Sequence, residues 1–364
     1  MTSNLQNEYK PNFVSVPGET LLETLETIGM SQAELGRQMG RPVETIHELI
    51  QGTITITEEI AFQLEHILHI PASFWLNRER FYRKSLARVA EEDKLVSWEK
   101  WADDFPVEQL MEYSWFPECA NKVQLVATLL IFFGVKSPDA WREVWNNKVV
   151  AYRRSEMPGR HFGSLTAWLR EGELEAEEIE CAPYDSMKFQ DALMRIRALT
   201  VEPISDFKEK LIEWCANAGV AVVFVRELPN IGIGGTTQWI EPDKALIQLS
   251  LRYKTDDEFW FTFFHEAGHI LLHGKRQIFL EIDEAQSKAA EQEADNFSKN
   301  TLVDKNQWNF FTSSNHSFST TEIKKFASEV EVAPGIIVGR LQHEQLLSYT
   351  ECNELKRSLV WSEI

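Results

Sequence analysis

Cysteine is scarce and scattered in this sequence of 364 residues, which contains only four. No two of the four form a C-x-x-C pair. Neither a disulfide framework nor a thiolate zinc site is therefore expected.

Long apolar runs and a secretory signal are also missing. The longest apolar run, Leu125 to Phe133, is shorter than the roughly 18 residues that a membrane span needs. The opening residues, MTSNLQNEYKPNF, lack a basic start followed by an apolar stretch. We expect a cytoplasmic location and no membrane partner.

Positive charge is in deficit, with 37 Lys and Arg against 56 Asp and Glu and a net charge of −19. This balance disfavours a protein that coats nucleic acid without sequence preference. A hydrophobic content of 43% is ordinary for a globular protein of several domains.

The first region, residues 1–85, reads as a series of short helices. Apolar residues recur at helical spacing, and Gly29, Gly40 and Gly52 stand where helices would end. Ser31 and Thr57 are expected to cap the helices that follow them.

The second region, residues 86–198, is predicted to be helical and is rich in tryptophan. It contains the charged run REGELEAEEIE from Arg170 to Glu180. We interpret this run as a solvated helix face and not as a binding tail.

The third region, residues 199–364, changes in character. Two β-branched apolar stretches, 218–228 and 244–251, predict buried strands. Between them, Gly235, Thr236 and Thr237 form either part of a hairpin turn or an edge strand that receives an extended peptide substrate.

A long apolar helix is predicted next, and it carries His265, Glu266 and His269 as H-E-x-x-H. Two histidines four apart share one helix face and can reach one zinc ion. Glu266 would then act as the general base for water and later as the acid for the leaving amine. This geometry suits a hydrolase.

A two-histidine site needs a third protein ligand. We favour Glu291, with Asp295 orienting a ligand imidazole, whereas spacing alone leaves Glu293 as an alternative ligand. His273 lies four residues beyond His269 and could join the site, although a helix-end histidine is the commoner case.

The strings FHEAGHILLH and EQEADNFSKNTL resemble the ImmA/IrrE family of bacterial zinc metallopeptidases. The resemblance covers about residues 200–364, including VAPGIIVGRLQHE, and implies one zinc ion on His265, His269 and Glu291, with Glu266 catalytic. The sequence departs from the family in having Ser298 for the usual alanine and in lacking a proline after TLV. Several family members cut a transcriptional repressor under stress.

Within residues 18–80, the strings MSQAELGRQMG, TIHELIQG and ITEEIAFQLEHILHIPASFWLN resemble the XRE-type helix-turn-helix of HigA-type antitoxins. Its second helix would enter the DNA major groove, with Arg41, Glu44, Thr45 and His47 near the base edges. Relatives often carry Ser, Arg, Gln and Asn at the positions of Pro42, Val43, Glu44 and His47, and a glutamate is repelled by phosphate. The same unit could instead serve dimerisation or the recognition of another protein.

The expected fold is mainly α with a small β-sheet, in the three regions 1–85, 86–198 and 199–364. The expected function is a regulatory zinc metalloendopeptidase that binds DNA, forms a homodimer and cleaves a protein partner such as a repressor or antitoxin.

Two other functions are open. The chain could be a DNA-binding regulator whose zinc domain is structural or sensing, without turnover. It could also be a protease switched on by single-stranded nucleic acid through Trp141, Arg142, Arg153 and Arg154. Core packing is the expected use of the tryptophans.

Overall fold

The structure is a computed structural model, and it describes residues 15–150, 160–229, 231–250, 252, 254–274, 284–314 and 317–361. The chain divides into two compact units, Met1–Glu99 and Lys100–Ile364. The predicted boundary after residue 85 falls within a continuous helix, Ala72–Ser97, and the boundary after residue 198 falls inside the second unit. The three-region division stays a prediction.

The described part of the first unit is helical. Its helices are α1 (Pro17–Ile28), α2 (Gln32–Met39), α3 (Val43–Gln51), α4 (Glu58–Leu68) and α5 (Ala72–Ser97). Gly29, Gly40 and Gly52 adopt the left-handed conformation at the ends of α1, α2 and α3, and the side chains of Ser31 and Thr57 cap α2 and α4. The predicted helix ends and caps are confirmed.

In the second unit, the strands of a small sheet follow one group of helices along the chain and precede another. Before the sheet lie α6 (Glu99–Ala102), α7 (Val107–Glu112), α8 (Lys122–Phe133), α9 (Pro138–Val150), α10 (Arg160–Glu177), α11 (Ser186–Ala198) and α12 (Ile204–Ala216). After it lie α13 (Asp256–His273), α14 (Glu284–Leu302), α15 (Lys305–Ser314), α16 (Thr320–Glu329) and α17 (Pro334–His343). The predicted class, mainly α with a small sheet, is confirmed.

The sheet contains β1 (Val220–Phe224), β2 (Gly235–Glu241) and β3 (Lys244–Leu249), in the order β1-β3-β2. β1 runs parallel to β3, whereas β2 is antiparallel to it. The turn between β2 and β3 is at residues 242–243. The glycine-rich stretch therefore leads into a strand, and within the described residues that strand lies at the sheet edge.

The core of the second unit surrounds α13. Trp260, Phe263 and Phe264 of this helix are fully buried together with the inner residues of β1 and β3. α17 packs against the start of α13, where a side chain at Gly335 or Gly339 would collide with Asp256 or Asp257. The PGIIVG sequence is thus a close-packing surface.

Arg357 ties the C-terminal segment to α13. Its guanidinium lies 2.8 Å from the Asp256 carboxylate and also donates to the carbonyls of Thr200 and Glu202. Burial raises the pKa of Asp256, and the hydrogen bonds and charge of Arg357 only partly offset that effect.

The charged run from Arg170 to Glu180 is solvated only in its second part, where Glu177, Glu178 and Glu180 are exposed, so the interpretation as a solvated face is wrong for the first part. Glu173 is buried and forms ion pairs with Lys148 at 2.5 Å and Arg170 at 3.1 Å, while Glu171 and Glu175 are half-buried. The sequence of the run does not reveal this burial. It arises because the helix contacts β1 and β3, which lie far away in the sequence.

By length and mean hydropathy alone, the segment Lys122–Asn146 could cross a membrane. The chain forms two helices there, however, because α8 ends at a left-handed Gly134 before α9 begins. Phe133, Trp141 and Trp145 pack together and are buried. Each helix is shorter than the roughly 20 residues that a membrane span needs. The apolar composition of the segment therefore does not show that it spans a membrane.

Candidate metal centre

Two helices, α13 and α14, form the walls of the site. They approach closely at Gly268, where an added Cβ would lie 3.1 Å from the Phe297 ring and 3.3 Å from Ala294 Cα. Ser298 is fully buried and donates a hydrogen bond of 2.9 Å to the carbonyl of Phe261. The serine that replaces the family alanine thus joins the two helices.

Three side chains from these helices converge as a group that could hold a metal ion: His265, His269 and Glu291. The two Nε2 atoms of the histidines lie 3.0 Å apart. The Glu291 carboxylate places one oxygen 3.2 Å from His265 Nε2 and the other 3.1 Å from His269 Nε2. Among the described residues, this is the one group of its kind.

The other ring nitrogen of each histidine is also held. His265 Nδ1 lies 2.9 Å from an oxygen of Asp295, as predicted for a residue that orients a ligand imidazole. His269 Nδ1 lies 3.0 Å from Nδ1 of His273, whose Nε2 lies 3.1 Å from the Glu293 carboxylate. Glu293 therefore contacts His273, outside the converging group.

The surroundings of Asp295 act on its carboxyl group in two directions. Burial alone would raise the pKa of Asp295. The hydrogen bond to His265 and the charges of His265, Lys299 and His343 outweigh burial and lower the pKa overall. The carboxylate is thus kept ionised, as an acceptor for an imidazole must be.

Glu266 is buried and lies beside the edge strand β2. Thr237 donates a hydrogen bond of 3.1 Å to the backbone carbonyl of Glu266. A side chain at Gly235 would come within 2.6 Å of Thr262 and 3.1 Å of Glu266 Cγ. Glycine at this position lets the strand pass close to the side chain predicted to be catalytic.

The donor set fits a zinc ion. Two imidazole nitrogens and one carboxylate oxygen are the three-ligand pattern of catalytic zinc sites, which leave a further position open. Both histidines are mostly buried, with 14% and 21% of their side chains exposed. The three donor side chains approach one another closely, with no apolar side chain of the described residues between them. A cation bound among them would offset the cost of burying these polar groups.

Comparison with known proteins gives one family. Residues 215–341 match the family model of the IrrE N-terminal-like domain, Peptidase_M78. This segment is a metallopeptidase-type domain. The match supports the ImmA/IrrE resemblance, and the metallopeptidase-type domain so defined contains the sheet, α13 and α14. Neither the curated proteins nor the solved structures gave a significant match.

The residues predicted to read DNA lie around the start of α3. Glu44 and His47 are exposed, and Thr45 is half-buried. Arg41 lies 2.7 Å from Glu59 and donates a hydrogen bond of 2.8 Å to Gln63, both in α4. His47 lies 2.8 Å from Gln51. Arg41 is thus held within its own unit.

Trp141 and Arg142, the two described residues of the set proposed to stack on a nucleic-acid activator, do not form an exposed aromatic platform. Trp141 is buried among aromatic rings, as core packing predicts. Arg142 lies 3.5 Å from Asp139, on the exposed side of α9. Arg153 and Arg154 lie outside the described residues. Trp141 is therefore not available to a base.

Two contacts in the site were not predicted. The bond from Thr237 to α13 depends on sheet register, which one sequence does not reveal. The contact between His273 and Glu293 joins residues 20 apart on different helices. The i+4 spacing of His269 and His273 was the available signal, because it places both on one helix face.

Proposed function

We propose that this protein is a regulatory zinc metalloendopeptidase, with His265, His269 and Glu291 as the zinc ligands. The observation that carries the proposal is the convergence of these three donors beside a buried Glu266 in a metallopeptidase-type domain. When bound, zinc supplies the Lewis acidity that activates water and polarises a peptide carbonyl.

The chain supplies the proton transfers and the positioning. The Glu266 carboxylate accepts a proton from water and later delivers it to the leaving amine. Edge strand β2, at Gly235, Thr236 and Thr237, offers backbone groups on which an extended peptide would align by strand addition. An extended protein segment, and not a folded surface, is therefore the proposed substrate.

We further propose that the first unit is a helix-turn-helix that binds DNA and forms a homodimer. The short turn from Gly40 to Pro42 between α2 and α3 supports it. The partner that is cleaved would be a repressor or antitoxin in a stress, toxin–antitoxin or defence response in the cytoplasm.

Cleavage of repressors or antitoxins encoded beside the gene, with zinc measured in the same samples, tests the enzyme. Wild-type chain should cleave, whereas Glu266→Gln should keep zinc and lose cleavage. Glu209→Gln, an exposed site on α12, is the matched control and should cleave as the wild type does.

The competing function is a DNA-binding regulator whose zinc domain does not turn over. An open set of three ligands beside an acid/base residue argues against it, because a purely structural zinc site closes with four protein ligands. Tight operator binding together with zinc content and no cleavage would favour this regulator.

A further inference from the structure

A second site of polar side chains lies in the same unit, away from the metal centre. It is a cleft of about 500 Å³ between α10, the start of α12, the end of β1 and the loop after α7. That volume is in the range of small-molecule sites. The proposed protease chemistry does not use its lining, and of the lining residues only Phe224 and Arg226 fall within the family match.

Two carboxyl groups from one helix line the cleft. Glu171 and Glu175 are four residues apart in α10, so they share a face, and both are half-buried. Among the described residues neither forms a hydrogen bond or an ion pair within 4.0 Å. The buried neighbour Glu173, in contrast, is paired with Lys148 and Arg170.

The pKa values of both carboxyls are raised, because no ion-pair partner within the described part of the chain offsets their burial. Burial, with the charge of Glu175, raises the pKa of Glu171 to about 7, although Arg170 opposes it. Burial raises the pKa of Glu175 to about 7, although Lys208 opposes it. A bound cation would offset the cost of desolvating these carboxylates.

Four aromatic residues, Tyr113, Trp115, Phe224 and Trp361, also line the cleft. Such rings attract organic cations through their negative faces. The protein already uses two of them in this way, because Arg226 lies 5.3 Å from the Tyr113 ring centre and Lys208 lies 5.6 Å from that of Phe224.

We propose that this cleft binds a small organic cation of the amine, amidine or guanidine class, held by its aromatic residues and the Glu171–Glu175 pair. An inorganic cation fits less well, because the carboxylates that line the cleft do not converge as a group of three donors around one ion among the described residues. An anion is disfavoured, because with Glu112 the lining has three acidic residues against two basic ones, Lys208 and Arg226.

Calorimetric titration of the full chain with benzamidine tests the proposal. Benzamide has nearly the same shape without the charge, benzoate has the opposite charge, and Ca²⁺ is an inorganic cation. We expect benzamidine to bind and each of the other three to bind at least about tenfold more weakly. Tighter binding of benzoate or Ca²⁺, or no binding of benzamidine, would overturn the proposal.

Variants of the two glutamates test whether benzamidine binds in this cleft. Glu171→Gln with Glu175→Gln should weaken benzamidine binding at least about tenfold. Glu178→Gln, exposed just beyond α10, is the matched control and should leave binding unchanged. Equal binding by the double variant would refute the site. Thermal unfolding checks its fold, and the single variants serve if the double variant does not fold.

Proton release provides an independent readout in the wild-type chain. At about pH 7 the two carboxyls are partly protonated, and a cation favours their ionised forms. Titrations in two buffers of different ionisation enthalpy should therefore show protons released on binding. The other titratable and charged groups near the pair are Glu112, Tyr113, Lys208 and Arg226 in the lining and Arg170 on the same helix. Binding without proton release would contradict a role for the glutamates.

Discussion

Two helices of the second unit carry acidic residues four apart, and their surroundings differ. In α14, Glu291 and Asp295 face the histidines of α13, and the pKa of Asp295 is lowered. In α10, Glu171 and Glu175 line a cleft with aromatic residues, and the pKa of each is raised to about 7. The same spacing is therefore found with a lowered carboxyl pKa at Asp295 and with raised carboxyl pKa values at Glu171 and Glu175.

The difference comes from partners and not from the helices themselves. The carboxylates of Glu291 and Asp295 each lie within 3.2 Å of an imidazole nitrogen. The carboxyls of Glu171 and Glu175 line a cleft together with aromatic residues, and the charges of Arg170 and Lys208 only partly offset the effect of burial on their pKa values. Residues four apart on a helix thus define a shared face, and the facing element decides the chemistry.

The largest expected effect concerns the acid/base residue between the two histidines. Glu266→Gln should reduce cleavage by about 10²- to 10⁴-fold, since a general acid/base contributes that much. Zinc content should stay at the wild-type value, because Glu266 is not in the ligand group. Rates and zinc are measured on the same samples, and retained turnover would remove Glu266 from its role.

The next effect sharpens the α14 side of the comparison. Asp295→Asn keeps the shape but removes the charge that orients His265. Zinc affinity should fall by about 10- to 100-fold, as is usual for residues that hold a ligand imidazole. Competition with a chelator measures it. An unchanged affinity would mean that the bond to His265 does not support metal binding.

A smaller effect concerns how Glu171 and Glu175 in α10 change the stability of the fold with pH. The folded pKa of about 7 lies above the ordinary 4.5, so the folded chain binds more protons between these values. The stability this provides is present below pH 4.5 and is lost as the pH rises through 7. Replacing Glu171 and Glu175 by Gln should therefore stabilise the chain at about pH 8 but hardly at about pH 4.

We expect a gain of about 1 kcal/mol per residue, less than the pKa shifts alone would give, because both side chains are partly exposed to solvent. Urea unfolding of wild type and variant at the two pH values measures it. A variant that is less stable at the higher pH would contradict the electrostatic account of the cleft.

The smallest expected effect concerns the hydrogen bond that connects α13 and α14. Ser298→Ala removes the hydrogen bond to the Phe261 carbonyl and restores the usual family residue. Stability should fall by about 0.5 to 1 kcal/mol, with zinc content unchanged. Thermal unfolding measures the change, and a loss of zinc would show that this bond sets the spacing of the ligand helices.

Local patterns in the sequence predicted much of the fold. Glycines and caps marked the helix ends, and the two β-branched stretches marked β1 and β3. Helix spacing places His265 and His269 together, whereas spacing alone left Glu291 and Glu293 as alternative third ligands in the acidic helix that follows. These are properties of neighbouring residues, which sequence reveals directly.

Contacts between distant elements could not be predicted in this way. The partial burial of Glu171 and Glu175 depends on β1 and on the loop after α7, far away in sequence. The position of β2 at the sheet edge depends on register, and the fit of Gly335 onto Asp256 depends on helix packing. A helix face looks the same in sequence whether water or another element covers it.

Zinc content of the purified chain and two variants tests the central claim most directly. Glu291→Gln and the double variant of Glu171 and Glu175 each remove acidic residues from a helix face with the same spacing. We predict one zinc ion per chain in the wild type and in the double variant, and none in Glu291→Gln. Full zinc in Glu291→Gln, or its loss from the double variant, would contradict the assignment of the metal to α13 and α14.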